Sequence, residues 1–294
     1  MNLSRRELLL AASAIAGASV EETQPAYSLQ AASNPASPAI NPQYLTGSVD
    51  HWPLAELSDA GYKGLELTPE SLDAPNIWKK ASEKAGLHLI SVNAMHSLRP
   101  YLTGSLSDAV AWRRRATLDR LLETLARMRD MAIPLLIVAP SRLAEVYQTD
   151  HEARTLLVES LRELASAGDT TILLQSAPFR MFTASGDIAS IIDEAAHPNI
   201  AAALDVGHTL LSGENPASAA HTLGTRLKYV QVNDADNRPG EPGLDRHLPL
   251  GEGGARQVDV RTAIGNRPWS VGIVSPHNPI EAARAALHWI EIRS

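Results

Sequence analysis

No cysteine occurs among the 294 residues. Its absence excludes disulfides, zinc sites built on thiolates, a cysteine nucleophile and a lipid anchor on cysteine. Positive charge is also short: 26 lysines and arginines stand against 33 aspartates and glutamates, a formal net charge of −7. That balance gives no support to a nucleic-acid partner. The densest basic run, Arg113-Arg114-Arg115, reads as the solvated face of a long helix. No Gly-x-Gly-x-x-Gly follows an early strand, so the dinucleotide-binding fingerprint is missing. What remains is an ordinary globular composition, 44% hydrophobic and 20% charged, long enough for one large domain or two small ones.

The N-terminus carries a separate message. Ser4-Arg5-Arg6-Glu7-Leu8-Leu9-Leu10 precedes small and apolar residues through Ala18. A charged start, a short apolar stretch and small residues at its end make a secretory signal. The arginine pair resembles a twin-arginine signal, with Leu8 where that pattern has Phe and Leu10 where it has Lys. The apolar stretch falls short of the ~20 residues that cross a bilayer. The expectation is a signal over 1–20, export to the periplasm, and no stable membrane insertion after processing. Residues 21–42 are rich in Ala and Ser, with Pro25, Pro35, Pro38 and Pro42, and read as a linker. The folded domain is expected over 43–294.

Within that domain short apolar runs alternate with helical patterns. The runs lie at 44–49, 64–67, 87–93, 134–139, 171–175, 200–205, 227–233 and 269–274. They are mostly aliphatic or β-branched, as strands buried on both faces are. The clearest helix covers 108–130, with Leu118, Leu121, Leu122, Leu125 and Met128 on one stripe. Thr149 with Glu152 reads as a capping box, and Asn215-Pro216 and Asn278-Pro279 as helix starts. Further helices fit 53–60, 76–85, 186–196 and 257–264. Eight strand–helix units over about 250 residues predict a single (β/α)₈ TIM barrel, an α/β fold, ahead of an open doubly wound sheet. Chemistry in such a barrel sits at the C-terminal strand ends. That rule nominates Glu66, 93–96, Gln175, Asp205 with His208, 231–234 and 272–277, with the 236–254 loop beside them.

Five segments in order carry a family resemblance: Gly61-Tyr62-Lys63-Gly64-Leu65-Glu66-Leu67, Leu204-Asp205-Val206-Gly207-His208 with Gly213-Glu214-Asn215-Pro216, Tyr229-Val230-Gln231-Val232-Asn233-Asp234, His247-Leu248-Pro249-Leu250-Gly251-Glu252-Gly253, and Trp269-Ser270-Val271-Gly272. The chain over about 44–290 resembles the xylose isomerase-like barrels, the sugar-phosphate isomerase and epimerase superfamily. The resemblance implies a small sugar or polyol as ligand. It also implies a divalent ion (Mn, Mg or Zn) held by Glu, Asp, His and Glu from strands five to eight, the two glutamates also moving protons. Carried over, those positions are Gln175, Asp205, Gln231 and Gly272, so only Asp205 keeps its type.

Losing two carboxylates weakens the claim on Mg²⁺ or Mn²⁺, which bind charged oxygen, and an amide cannot take a proton from carbon near neutral pH. Asp205 is therefore expected to hold metal weakly or not at all. His208 with Asp245 and His247 resembles part of the metal cluster of the abasic-site endonucleases in the same superfamily, a displaced three-ligand site. The same histidines could instead bond sugar hydroxyls or order the loops. Glu66 and His208 are the expected catalytic residues. Gln175, Gln231, Asp234, Arg238, His247 and Glu252 are expected to bind substrate. Two readings stay open: a sugar isomerase or epimerase with an altered site, and a catalytically inactive exported carbohydrate-binding or structural barrel.

Overall fold

A computed structural model describes residues 38–40, 53–96, 105–140, 149–178, 181–236, 245–272 and 278–291. The expected signal and most of the expected linker lie outside them.

Eight parallel strands close a barrel in sequence order. They are β1 (Pro38–Ile40), β2 (Gly64–Leu67), β3 (His88–Asn93), β4 (Leu135–Val138), β5 (Thr171–Gln175), β6 (Ile200–Asp205), β7 (Leu227–Val232) and β8 (Trp269–Val271). The helices are α1 (Leu54–Ala60), α2 (Pro75–Ala85), α3 (Ala111–Asp130), α4 (Asp150–Ala165), α5 (Ser185–Ala195), α6 (Val206–Leu211), α7 (Pro216–Leu223), α8 (Gln257–Ile264) and α9 (Pro279–Glu291). None among the described residues is long and apolar enough to cross a membrane.

One strand corrects the sequence reading. The strand that closes the barrel between β2 and β8 is Pro38–Ile40, inside the expected linker. The 44–49 run lies outside the described residues. Proline is tolerated at Pro38 because it opens its strand, where one missing donor costs least.

Strand alternation divides the apolar residues into two clusters. Ala39, Leu135, Ile137, Leu173, Ala201, Ala203 and Tyr229 point into the barrel. Leu65, Leu67, Leu136, Val138, Ile172, Leu174, Leu204, Val230 and Val232 point out against the helices. Successive side chains face opposite ways along a strand, so the inward set continues upward at every second residue and turns polar. Asp205 lies level with Gln231, and Gln231 with Ser270. The sequence therefore makes an apolar floor and a polar mouth.

Helix ends fix the loops around that mouth. Thr149 and Glu152 form the expected box: Glu152 N–H donates to Thr149 Oγ1 at 3.2 Å and Thr149 N–H to Glu152 Oε2 at 3.0 Å. Thr149→Ala is expected to cost about 1 kcal/mol in urea unfolding, and an unchanged midpoint would show the cap idle. Asn215 caps α7 through Ser218 N–H, while Glu214 accepts from Ser185 N–H and Oγ at the start of α5. The Glu214-Asn215 pair is thus structural.

Candidate functional site

Two polar layers fill the mouth. The deeper one surrounds Glu66, which is fully buried and level with Ser91. Its Oε2 accepts from Ser91 Oγ at 3.0 Å and Ser270 Oγ at 3.3 Å, and its Oε1 from Asn93 Nδ2 at 3.4 Å. Ser91 also reaches Tyr229 OH at 3.3 Å. Burial, and then the neighbouring Glu66 charge, hold the Tyr229 phenol well above its ordinary value, so it acts as a hydrogen-bonding group. These bonds tie Glu66 into the barrel interior.

Above it, Gln231 Oε1 accepts from Asn93 Nδ2 and from Gln175 Nε2, both at 3.3 Å. Gly272 lies against this pair: a Cβ there would meet Gln231 Nε2 at 2.5 Å. Gln175, Gln231 and Gly272 thus come together as the carried-over positions require, and a neutral amide contact links them.

The second cluster lies to one side, at the ends of β6 and β7. Asp205 caps the six-residue α6, its Oδ1 accepting His208 N–H at 2.8 Å. Its Oδ2 accepts Asn233 Nδ2 at 2.9 Å. Gly207 makes room for this: a Cβ would stand 1.9 Å from Asn233 Oδ1. Capping a helix places His208 three residues after the carboxylate, inside the mouth.

His208 Nδ1 lies 3.1 Å from the Ser176 carbonyl and Nε2 lies 3.2 Å from Asp245 Oδ2. A carbonyl and a carboxylate only accept, so in the metal-free protein Nδ1–H donates to Ser176 O and Nε2–H to Asp245. His247 repeats the pattern, with Nδ1 2.8 Å from Gly272 O and Nε2 3.4 Å from Asp245 Oδ1. Asn233 Nδ2 also stands 2.8 Å from His247 Nδ1. Donation to Gly272 O leaves Nε2 as a lone pair; acceptance from Asn233 puts the proton on Nε2. His247 has a left-handed backbone, φ 47°. Residues other than glycine hold that conformation at a cost of about 1–3 kcal/mol, often where a side chain must be aimed.

Both imidazoles are buried and meet nearly edge to face, centroids 5.8 Å apart. Asp205, His208 and His247 each bring one ligand atom within 4.8 Å of the other two. Asp245 offers a second carboxylate to the same pair, its two oxygens touching one Nε2 atom each. A histidine that anchors Nδ1–H on a carbonyl and aims Nε2 at a shared point has the arrangement of a metal ligand. Two imidazoles with carboxylate oxygen suit a zinc-class ion better than Mg²⁺. The axial set of Gln175, Asp205, Gln231 and Gly272 offers one carboxylate and does not fit a hard divalent ion.

Burial alone would push the His208 imidazole down. The Asp205 and Asp245 charges, the Asp245 hydrogen bond and the Ser176 carbonyl outweigh it and raise it from 6.5 to about 9. The folded value lies above the unfolded one. The associated stability is therefore complete below pH 6.5 and is lost as pH rises through about 9. Metal-free protein is expected to melt lower at pH 9 than at pH 6.5, by at most about 3 kcal/mol. A melting temperature that rises over that interval contradicts the ion cluster.

Other expected site residues fare differently. Asp234 is engaged by backbone: its oxygens accept Ala235, Gly251, Gly253 and Ala255 N–H at 2.8–3.0 Å. Four donors fill a carboxylate's lone pairs, so Asp234 anchors the loop over 251–255. Glu252 is exposed on that loop, with its backbone turned onto Pro249. Arg238 lies outside the described residues. Asn233 lies within the nominated 231–234 stretch but carried no role of its own there; its inward parity with Gln231, two residues earlier, is the signal for one.

Comparison with known proteins agrees with the barrel. Solved structures similar in fold include three described as sugar epimerases. The 3-keto-D-glucoside 4-epimerase of E. coli has a TM-score of 0.68 at 18% identity, covering 86% of this chain and 98% of its own. The D-psicose 3-epimerase of Clostridium cellulolyticum H10 scores 0.70 at 17%, over 86% and 98%. The D-allulose 3-epimerase of Methylomonas sp. scores 0.71 at 17%, over 87% and 96%. No curated protein sequence matches this one. The model of one family, described as the xylose isomerase-like TIM barrel, matches residues 54–292, and the chain belongs to that family.

Proposed function

We propose that the mouth of this barrel binds a small sugar or polyol beside a zinc-class cation held by His208, Asp245 and His247. In this reading the chain is a sugar isomerase- or epimerase-like protein whose cation has moved off the barrel axis. The observation that carries it is the convergence of both Nε2 atoms on one carboxylate, with both Nδ1 atoms against backbone carbonyls. The three similar solved structures, all described as sugar epimerases, support the ligand class.

An ion there would polarise a bound hydroxyl or carbonyl oxygen. The chain's own residues do the rest. Asp205 holds α6 and so positions His208. The Ser176 and Gly272 carbonyls fix the two imidazoles. Gln175 and Gln231 present neutral hydrogen-bonding groups. Proton transfer by two axial carboxylates is not proposed, because Gln175 has no basic state near neutral pH and Gly272 has no side chain. That replacement also favours the second reading, an inactive carbohydrate-binding barrel. The Ser4-Arg5-Arg6 start supports export, tested by whether a fused reporter reaches the periplasm and fails to when both arginines become lysine.

The decisive experiment titrates metal-free protein with Zn²⁺, then with xylitol and D-xylose. One ion per chain and saturable sugar binding weakened by Asp245→Ala are expected. Sugar binding absent with and without zinc overturns the reading. Because zinc displaces the His208 proton, its affinity should rise between pH 6.5 and about 9.

A further inference from the structure

The amides at the ends of β5 and β7 are oriented by a chain of hydrogen bonds that starts at a backbone group. Met95 N–H can only donate, and it donates to Asn93 Oδ1 at 3.0 Å. That fixes Asn93 Nδ2 toward Glu66 Oε1 and Gln231 Oε1. Gln231 must then offer its oxygen to Asn93, and Gln175 must offer its nitrogen to the same oxygen. Each amide is held in one of its two orientations by its neighbour.

This leaves two atoms over. Gln175 Oε1 and Gln231 Nε2 are shielded from solvent and have no partner among the described residues. Buried polar atoms are paired in the great majority of cases, and an orphan calls for a reason. Gly272 adds one. A Cβ there would stand 2.5 Å from Gln231 Nε2, so the missing side chain is what lets that donor project.

We infer that Gln175 and Gln231, with Gly272 beside them, form a subsite for the neutral hydroxyls of a polyol. The inference rests on the sugar-binding reading above and names the part of the ligand that is read. One orphan accepts and the other donates. An alcohol hydroxyl does both, so hydroxyls satisfy the pair. An ionised carboxylate or phosphate only accepts, and places its lone pairs against Gln175 Oε1. An ammonium only donates and faces Gln231 Nε2. A ketone satisfies Gln231 and leaves Gln175 unpaired. A subsite that is shielded from water makes each mismatch costly, because the unpaired atom has no solvent to turn to. The position that the family resemblance gives to a charged metal site thus becomes a neutral reader of alcohols.

The test compares erythritol, xylitol and D-sorbitol with the corresponding aldonates, in which one terminal carbinol has become a carboxylate. Binding is measured calorimetrically on the full chain, with zinc titrated separately. The wild type should prefer each alditol to its aldonate by about tenfold or more. Gln231→Met and Gln175→Met should each weaken alditol binding by about tenfold or more and erase the preference. Unchanged zinc affinity and melting temperature in these variants report an intact fold. The inference is overturned if the variants bind alditols like the wild type, which means the amides hold ordered water only, or if the aldonates bind as tightly. If zinc binds but none of the probes does, the sugar reading falls and this one with it. If Asp245→Ala leaves alditol binding unchanged while the glutamine variants lose it, the cation reading fails and the subsite stands.

Discussion

Replacing His247 by alanine lowers zinc affinity by about 100-fold or more, whereas replacing Gln175 by alanine leaves it unchanged. The two residues share one mouth, and the contrast comes from what each offers. His247 aims Nε2 at Asp245 Oδ1, and His208 aims its own Nε2 at Oδ2 of the same carboxylate. Removing it takes away one of two nitrogen ligands and leaves Asp245 facing a single imidazole. Losing an outer-shell partner of a metal ligand typically costs 10–100-fold, so losing the ligand itself costs at least the upper end of that range. Gln175 offers a neutral amide, and its nitrogen is engaged by Gln231 at 3.3 Å. Competition with a chromophoric chelator measures both variants. Equal losses would place the ion on the barrel axis and refute the displaced site.

Gly207→Ala destabilises the protein by about 3–5 kcal/mol, the largest stability change expected here. The added Cβ would lie 1.9 Å from Asn233 Oδ1 and 3.4 Å from Asp205 Oδ1. Asn233 is short, almost fully buried and tied to Asp205 Oδ2 at 2.9 Å, so it has little room to retreat. Forcing it aside adds overpacking to the loss of a buried charge-assisted bond. The same movement disturbs His247 and Asp205, so zinc affinity should fall with stability. Gly186→Ala is the control, since nothing lies within 4 Å of its Cβ and alanine is the better helix former. Urea unfolding compares them. A loss below about 1 kcal/mol at Gly207 with zinc affinity intact contradicts the packing described at the end of β6.

Most of the barrel was legible because buried strands and amphipathic helices repeat with fixed periods. β2, β5 and β6 fall on the expected residues, and the other strands after the first differ only at their ends. β1 was not legible. Three residues opening on Pro38 carry no period, and the more strand-like 44–49 run drew the assignment. The six residues of α6 are also too few for a helical stripe. Its one local signal was Asp205 three residues before His208, a capping distance read instead as ligand spacing.

The site divides in the same way. The placement of Asp205, His208, Gln175 and Gln231 at the mouth was legible because strand ends and inward parity are local properties. The anchoring role of Asp234 was not legible, because three of its four donors come from Gly251, Gly253 and Ala255, beyond a loop the strand pattern does not describe. The contact of His208 with Asp245 spans 37 residues and was accessible only through family resemblance. No local pattern shows that Met95 N–H orients Asn93, and through it the two glutamines.

The central claim is a position, and anomalous scattering from crystals soaked in zinc measures it directly. The account predicts one peak per chain beside Asp245, within bonding distance of the Nε2 atoms of His208 and His247. A peak on the barrel axis against Asp205, Gln175 and Gln231, or no peak beside intact histidines at saturating zinc, would contradict it.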